Sequence, residues 1–303
     1  MLTGIHFLLT YTCTSECDHC FLFGSPWAPG TFTRAQVEQV LDQVSQLGTV
    51  DIVYFEGGEP FLFYPLMLEG IRLARERGFK AGVVTNAYFA TTADDAVLWL
   101  RPLRDLGIAD LSLSDDVFHF DGPDNCAKRA LAAAEQLGIP VGTICIEEPR
   151  VEMPADGREK GAPVVSGDVM FRGRAAEKLT VGLPRRPWRE FTECPHEDLR
   201  NPGRVHVDAY GHLHVCQGIS IGNLWETPLS ALVASYNPDT HPIVGPLLRG
   251  GPARLVEEYG IPHEDGYMDA CHFCYSARKA LVNRFPHILA PRQVYGLDDT
   301  KQG

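Results

Sequence analysis

With 303 residues, 45% of them hydrophobic and 22% charged, the chain has the composition of an ordinary globular protein and the length for one large domain or two of usual size. Its formal net charge of -12 repels nucleic-acid backbones and anionic membranes at long range, so neither is expected as a main partner, while a small basic docking partner is compatible. The opening "MLTGIHFLLT" has no basic residue ahead of its apolar run and no small-residue cleavage site, and no apolar run is long enough to span a bilayer. The expected compartment is the cytoplasm.

"IHFLLTY" reads as a first strand, followed by "TRAQVEQVLDQVSQLG", a helix with Thr33 as its cap and Gly48 as its end. Strand and helix then alternate: "VDIVYFEGGEP", "PLMLEGIRLARERG", "KAGVVTN", "ADDAVLWLRPLRDLG", "IADLSLSDD", "DNCAKRALAAAEQLG" and "IPVGTICIEEP", with "VVSGDVMF" as a sixth strand. This alternation implies a parallel sheet, doubly wound or curved into a barrel, with its chemistry at the carboxyl ends of the strands. In "LSLSDD" the leucines share one face and Ser112 and Ser114 the other, so the hydroxyls are expected inward. In "IPVGTICIEEP" the isoleucines 144 and 146 are assigned to the helix-covered face, which turns Cys145 into the interior; a small buried hydrophobe is the competing reading. After about residue 180 the alternation stops, "RVHVDAYGHLHVC" reads as a β-hairpin, and a boundary near "LPRRPWRE" divides the chain into residues 1–185 and 186–303.

Seven of the nine cysteines fall into two groups, Cys13, Cys17 and Cys20 early and Cys194, Cys216, Cys271 and Cys274 late, apart from Cys126 and Cys145. In a reducing compartment such groups serve metals or catalysis rather than disulfides; a secreted disulfide protein is the remote alternative. Four thiolates close a structural site, whereas three on one short loop leave a metal corner open for substrate.

"CTSECDHC" after the first strand resembles the CxxxCxxC hallmark of the radical S-adenosylmethionine (SAM) superfamily, and Gly57, Gly58, Glu59 and Pro60 resemble its GGEP segment at the next strand end. The resemblance implies a partial (βα)6 TIM-like barrel with a [4Fe-4S] cluster on Cys13, Cys17 and Cys20, and SAM chelating the fourth iron. It places the GGEP residues at the methionyl amine, the glycines allowing close approach to the ligand. Thr85 and Asn86 match a common Thr-Asn pair, Ser112 and Ser114 are set near the SAM ribose or carboxylate, and His19 stands where an aromatic residue near adenine is usual. Asp116 and His119 are placed for substrate contact, with solvated loop residues as the competing reading. Arg174 is placed to meet a carboxylate, with an exposed helix-start arginine as the alternative.

"GHLHVC", the nearby "ISIGNLWETPLS" and "CHFC" resemble a SPASM or shorter twitch extension. This implies a small C-terminal domain in which Cys194, Cys216, Cys271 and Cys274 hold one auxiliary iron–sulfur cluster, of [4Fe-4S] type. Zinc on four thiolates, or on three and an imidazole such as His272, is the alternative. The implied reaction begins with an electron from reduced flavodoxin or ferredoxin and proceeds through a 5'-deoxyadenosyl radical that removes a substrate hydrogen. The expected outcome is oxidation, crosslinking or epimerisation of a peptide or small natural product, with a separate recognition protein in the peptide case because no additional N-terminal leader-binding domain is evident. For an epimerase, Cys145 is the expected hydrogen donor. A twitch-type dehydrogenase of a small alcohol or sugar is the alternative, and a non-catalytic iron–sulfur scaffold or electron carrier a remote one.

Overall fold

The computed structural model describes residues 1–120, 122, 124–152 and 164–297. Five strands and four helices follow in alternation: β1 (Gly4–Thr10), α1 (Arg34–Leu47), β2 (Ile52–Gly57), α2 (Tyr64–Glu76), β3 (Lys80–Thr85), α3 (Ala93–Asp105), β4 (Asp110–Ser114), α4 (Cys126–Leu137) and β5 (Val141–Ile144). The expected punctuation of α1 is present. Thr33 accepts from the Gln36 backbone N–H while the Gln36 side chain reaches back to the Thr33 N–H, and Gly48 closes the helix at φ 69°.

These strands pair in parallel, with Phe7 opposite Phe55, Phe55 opposite Val83 and Val83 opposite Leu111. All four side chains are fully buried, in one core with Leu41, Ile71 and Leu100 of the helices. Each such side chain withdrawn from water contributes about 1.5–3 kcal/mol. The opposite face of the sheet is the interior of a partial barrel, and the candidate site lies at its carboxyl end.

The sixth strand differs from the sequence expectation. Val164–Ser166 (β7) forms a short antiparallel hairpin with Arg150–Glu152 (β6), outside the main sheet. The sixth parallel position is taken by β9 (Arg204–Asp208), which pairs with β1 on the side away from β2, Gly4 opposite Arg204 and Phe7 opposite Val207. The expected hairpin is β9 with β10 (His212–Cys216), extended by β11 (Ile219–Asn223), so the sheet order is β11-β10-β9-β1-β2-β3-β4-β5. A helical turn, α5 (Arg174–Lys178), precedes it; β8 (Arg186–Pro187) pairs with β12 (Gly266–Tyr267), and α6 (Leu229–Ser235), α7 (Val244–Tyr259) and α8 (Ala270–Leu281) fill the C-terminal part. No helix among the described residues is long and apolar enough to cross a membrane.

The interior assignment at β5 is the reverse of that expected. Ser114 pairs with Ile144 and Leu113 with Thr143, and paired residues of neighbouring strands project to the same face. Ile144 therefore shares the interior face with Ser114, whereas Thr143 and Cys145 share the face of Leu113. Ile144 and Ile146 line the interior cavity, and Cys145 is exposed. β5 is the edge strand of the sheet, and on its outer face Val141 packs against the core whereas Thr143 and Cys145 are exposed.

Candidate active site at the strand ends

Cys13, Cys17 and Cys20 open onto a cavity of about 370 Å³ that is also lined by His19, Gly57, Gly58, Thr85, Asn86, Ser114 and His119. That volume lies within the range of small-molecule sites. Burial pushes the Cys13 thiol up to about 11 and the Cys17 thiol up to about 12, Cys17 being raised further by its neighbours Cys20 and Cys13. Three thiols facing one space, two of them desolvated, fit an iron centre, whose positive charge reverses the penalty at Cys13 and Cys17 and displaces their protons.

The loop carrying these thiols is short of regular structure, and its neighbours supply its backbone bonds. Gly58 donates its N–H to the Thr10 carbonyl at 2.7 Å and Glu59 to the Thr12 carbonyl at 2.8 Å. A Cβ on Gly57 would lie 2.3 Å from the Thr10 oxygen, and one on Gly58 2.2 Å from the Thr12 oxygen. Both glycines line the cavity, but the close approach that requires them is to the backbone of the cysteine loop. Gly58→Ala is expected to destabilise the protein by at least about 2 kcal/mol, because the obstruction is backbone that cannot rotate away. Thermal unfolding of the purified variant checks this, with an unchanged midpoint as the contrary result.

Glu59 also acts within the protein. Its carboxylate is fully buried and accepts from the Phe61 N–H at 2.9 Å, the Thr85 hydroxyl at 2.8 Å and the Asn86 N–H at 2.8 Å. Burial raises its carboxyl to about 7, against the effect of the Asn86, Phe61 and Thr85 hydrogen bonds. Asn86 in turn donates to the Thr14 hydroxyl at 2.9 Å and reaches the Cys13 sulfur at 3.7 Å. Thus Glu59 ties the ends of β2 and β3 together, and Asn86 passes that constraint to the cysteine loop. Pro60 starts the buried 3-10 turn that follows.

Arg174 lies on the other side of the loop. Its guanidinium donates to the Cys17 carbonyl at 2.7 Å and the Gly24 carbonyl at 2.6 Å, and is buried beside Phe23. Rather than facing a ligand carboxylate, it clamps the loop. Ser114 lines the cavity, whereas Ser112 donates to Asp110 at 2.9 Å and lies deeper, away from the cavity wall.

Asp116, His119 and His19 converge at the rim. His119 Nδ1 is 2.8 Å from Asp116 Oδ1, and His19 Nε2 is 4.0 Å from Asp116 Oδ2. Burial raises the Asp116 carboxyl, but His119 and His19 more than offset this and bring it below its ordinary value. Burial lowers the His19 imidazole to about 4. Its ring packs 4.6 Å from Phe118.

The four late cysteines converge separately, on a pocket also lined by Arg172 and Arg278. Cys194 comes from an irregular loop, Cys216 from the end of β10, and Cys271 and Cys274 from the first turn of α8, three residues apart on one helix face. Arg172 Nη1 is 3.5 Å from the Cys216 sulfur, and Arg278 is almost fully buried. His272 Nδ1 instead accepts the Met268 N–H at 3.3 Å. Two arginines beside four sulfurs fit a group with net negative charge. The sequence pattern did not single out either arginine, nor Glu56 of the main cavity, and it set Ile144 and Ile146 on the opposite face; for Glu56 the signal was its alternation with Tyr54 along β2.

The radical SAM superfamily description matches residues 7–146. Over 107 residues the chain is 21% identical to the putative peptide biosynthesis protein YydG of Bacillus subtilis (strain 168), covering 35% of this chain and about a third (34%) of that relative's length. Among solved structures, BtrN in complex with AdoMet and 2-DOIA has TM-score 0.48 at 15% identity, covering 77% of this chain and 82% of BtrN. Native anSMEcpe with bound AdoMet has TM-score 0.48 at 11% identity, covering 95% and 98%. SuiB of Streptococcus suis bound to S-adenosylmethionine has TM-score 0.46 at 11% identity, covering 81% and 68%. The match from β1 to the end of β5 spans the three-cysteine loop, the Gly-Gly-Glu-Pro turn and the Thr-Asn strand end, and over these residues the chain is similar to the radical SAM superfamily, whose members use a [4Fe-4S] cluster and SAM.

Proposed function

We propose that residues 1–185 form a radical SAM unit with its cluster on Cys13, Cys17 and Cys20, and residues 186–303 an auxiliary unit with one iron–sulfur cluster on Cys194, Cys216, Cys271 and Cys274. The net reaction is an oxidation or crosslinking of a peptide or small natural product. The observation that carries this reading is the pairing of two thiol constellations, one opening onto a cavity of small-molecule size and one on a pocket that two arginines help to line. When bound, the first cluster with SAM supplies a 5'-deoxyadenosyl radical that takes a hydrogen atom from an unactivated substrate position.

His119 is the proposed acceptor of the later proton. Asp116 holds Nδ1 of His119, leaving Nε2 on the cavity side as the available nitrogen. A substrate radical beside an O–H or N–H group would lose that proton to Nε2, and a cluster held by Cys194, Cys216, Cys271 and Cys274 would supply the acceptor for the one electron whose loss completes the double bond. Among the described residues, the cavity is lined by no thiol other than Cys13, Cys17 and Cys20, and Cys145 faces outward. This favours oxidation over an epimerisation that needs a thiol hydrogen donor at Cys145. Ile144 and Ile146 give the cavity an apolar wall for the substrate carbon skeleton. The electron donor is a reduced flavodoxin or ferredoxin, and the protein acts in the cytoplasm. A peptide substrate is supported by the likeness to YydG, whose name concerns peptide biosynthesis.

Metal content tests the two-cluster assignment. Anaerobically reconstituted protein is expected to carry roughly eight irons and eight sulfides per chain. Stoichiometric zinc, with iron for one cluster only, in protein purified without oxygen is the outcome that would sink it.

A further inference from the structure

Three inward-facing donors lie deeper in the barrel, on three neighbouring strands. His6 on β1, Glu56 on β2 and His206 on β9 bring two imidazole nitrogens and a carboxylate oxygen within 4.8 Å of one another. His6 Nδ1 is 3.2 Å from Glu56 Oε2, and His206 Nε2 is 3.0 Å from Glu56 Oε1. The His6 ring is held by stacking on Tyr54 at 4.7 Å and edge contact with His206 at 4.9 Å. Glu56 also lines the cavity onto which the early cysteines open.

We propose that His6, Glu56 and His206 form a binding site for a divalent first-row transition-metal ion, with its remaining coordination positions directed into the reaction cavity. Two imidazoles and one carboxylate are a donor set suited to such ions. Bonds of about 2.1 Å set at right angles separate neighbouring donor atoms by about 3 Å, the spacing of each histidine nitrogen from its Glu56 oxygen. A second observation points the same way. His6 Nδ1 is buried and lacks an aligned hydrogen-bond partner despite its proximity to the Glu56 oxygen, an arrangement that a cation between nitrogen and oxygen resolves.

The other polar clusters do not carry this argument as far. Asp208 already accepts the Tyr11 hydroxyl, both His212 and His214 rings, and the backbone N–H groups of Tyr210 and His212, so its oxygens are saturated. In the Asp116 cluster Asp116 Oδ2 and His19 Nδ1 are likewise buried without a partner, but Asp116 Oδ1 and His119 Nδ1 are joined at 2.8 Å in ordinary hydrogen-bond geometry and His19 Nε2 stands 4.0 Å from Asp116 Oδ2, too far apart for two donors on one ion at right angles. Glu56, by contrast, is engaged among the described residues by His6 and His206, one at each oxygen. A metal there offers open positions to an oxygen or nitrogen of a molecule lying in the cavity.

Manganese(II) is the probe, because it has little affinity for thiolates and the oxidised [4Fe-4S] state is silent in electron paramagnetic resonance. Titrated into anaerobically reconstituted holoenzyme, it is expected to lose its free-ion signal at about one equivalent per chain. Glu56→Gln and His206→Gln should each weaken uptake at least about 10-fold while iron and sulfide content stay at the parent value. On the unsubstituted protein, the bound ion should show couplings to imidazole nitrogen, which decides the matter if either variant fails to assemble. No uptake up to millimolar manganese, uptake unaltered in both assembled variants, uptake lost instead on Asp116→Asn, or a bound ion without nitrogen coupling would each overturn the proposal. Loss of the radical SAM reading has a separate signature, the absence of SAM cleavage.

Discussion

Simultaneous replacement of Cys13, Cys17 and Cys20 by Ala is expected to abolish reductive cleavage of SAM and to halve bound iron and sulfide to about four of each. Assayed anaerobically with dithionite, the variant should produce no 5'-deoxyadenosine above a protein-free control. The halving follows from the separation of the two thiol groups: the late cysteines lie on β10, α8 and a loop near residue 194, so removing the early thiols leaves their ligands intact. Retained 5'-deoxyadenosine formation would refute the assignment of the early cysteines, whereas loss of all iron would show that the late ones hold no cluster. Because Cys13 and Cys17 are nearly buried in the parent protein, Ala also removes sulfur volume. Equal unfolding cooperativity in variant and parent distinguishes lost ligation from a collapsed loop.

The second large effect is expected at the Asp116–His119 pair. In His119→Asn, SAM cleavage in the presence of substrate should persist, while product formed per 5'-deoxyadenosine falls on the order of 10²-fold, the usual contribution of a positioned proton acceptor. Asp116→Asn should lower the same ratio, because the carboxylate that holds His119 Nδ1 at 2.8 Å is then neutral and its amide nitrogen a donor. The pH profile separates this from a packing defect. A proton acceptor's loss removes an ionisation from the product-to-cleavage ratio; a packing defect lowers the ratio equally at every pH. A ratio unchanged in both variants would remove the pair from the reaction and leave the proton to another group in the cavity.

Much of the scaffold is legible in local pattern. Apolar residues at helical spacing, the Thr33 cap and Gly48 end of α1, and the two serines alternating with leucines in β4 are properties of a few consecutive residues, and local sterics and hydrogen bonding decide them. The CxxxCxxC loop and the Gly-Gly-Glu-Pro turn are likewise contiguous, so their placement after β1 and β2 follows from the order of elements along the chain.

What only the tertiary structure decided are relations between distant residues or between faces. The strand beside β1 is β9, with Gly4 opposite Arg204, two hundred positions along the chain; strand propensity at 164–166 was real, but propensity does not name a partner. Alternation placed Ile144 and Cys145 on opposite faces correctly but did not say which face was interior, because at the end of an edge strand the outer face and the cavity can both receive an apolar side chain. The roles of Gly57, Gly58, Glu59 and Arg174 shifted inward for one reason. A loop that carries three thiols without regular structure leaves its carbonyls in need of donors, and the neighbouring strand ends and α5 provide them: Gly58 and Glu59 to Thr10 and Thr12, Arg174 to Cys17 and Gly24. Residue types set what chemistry this chain can hold, and long-range packing determined which groups face the cavity and which hold the others in place.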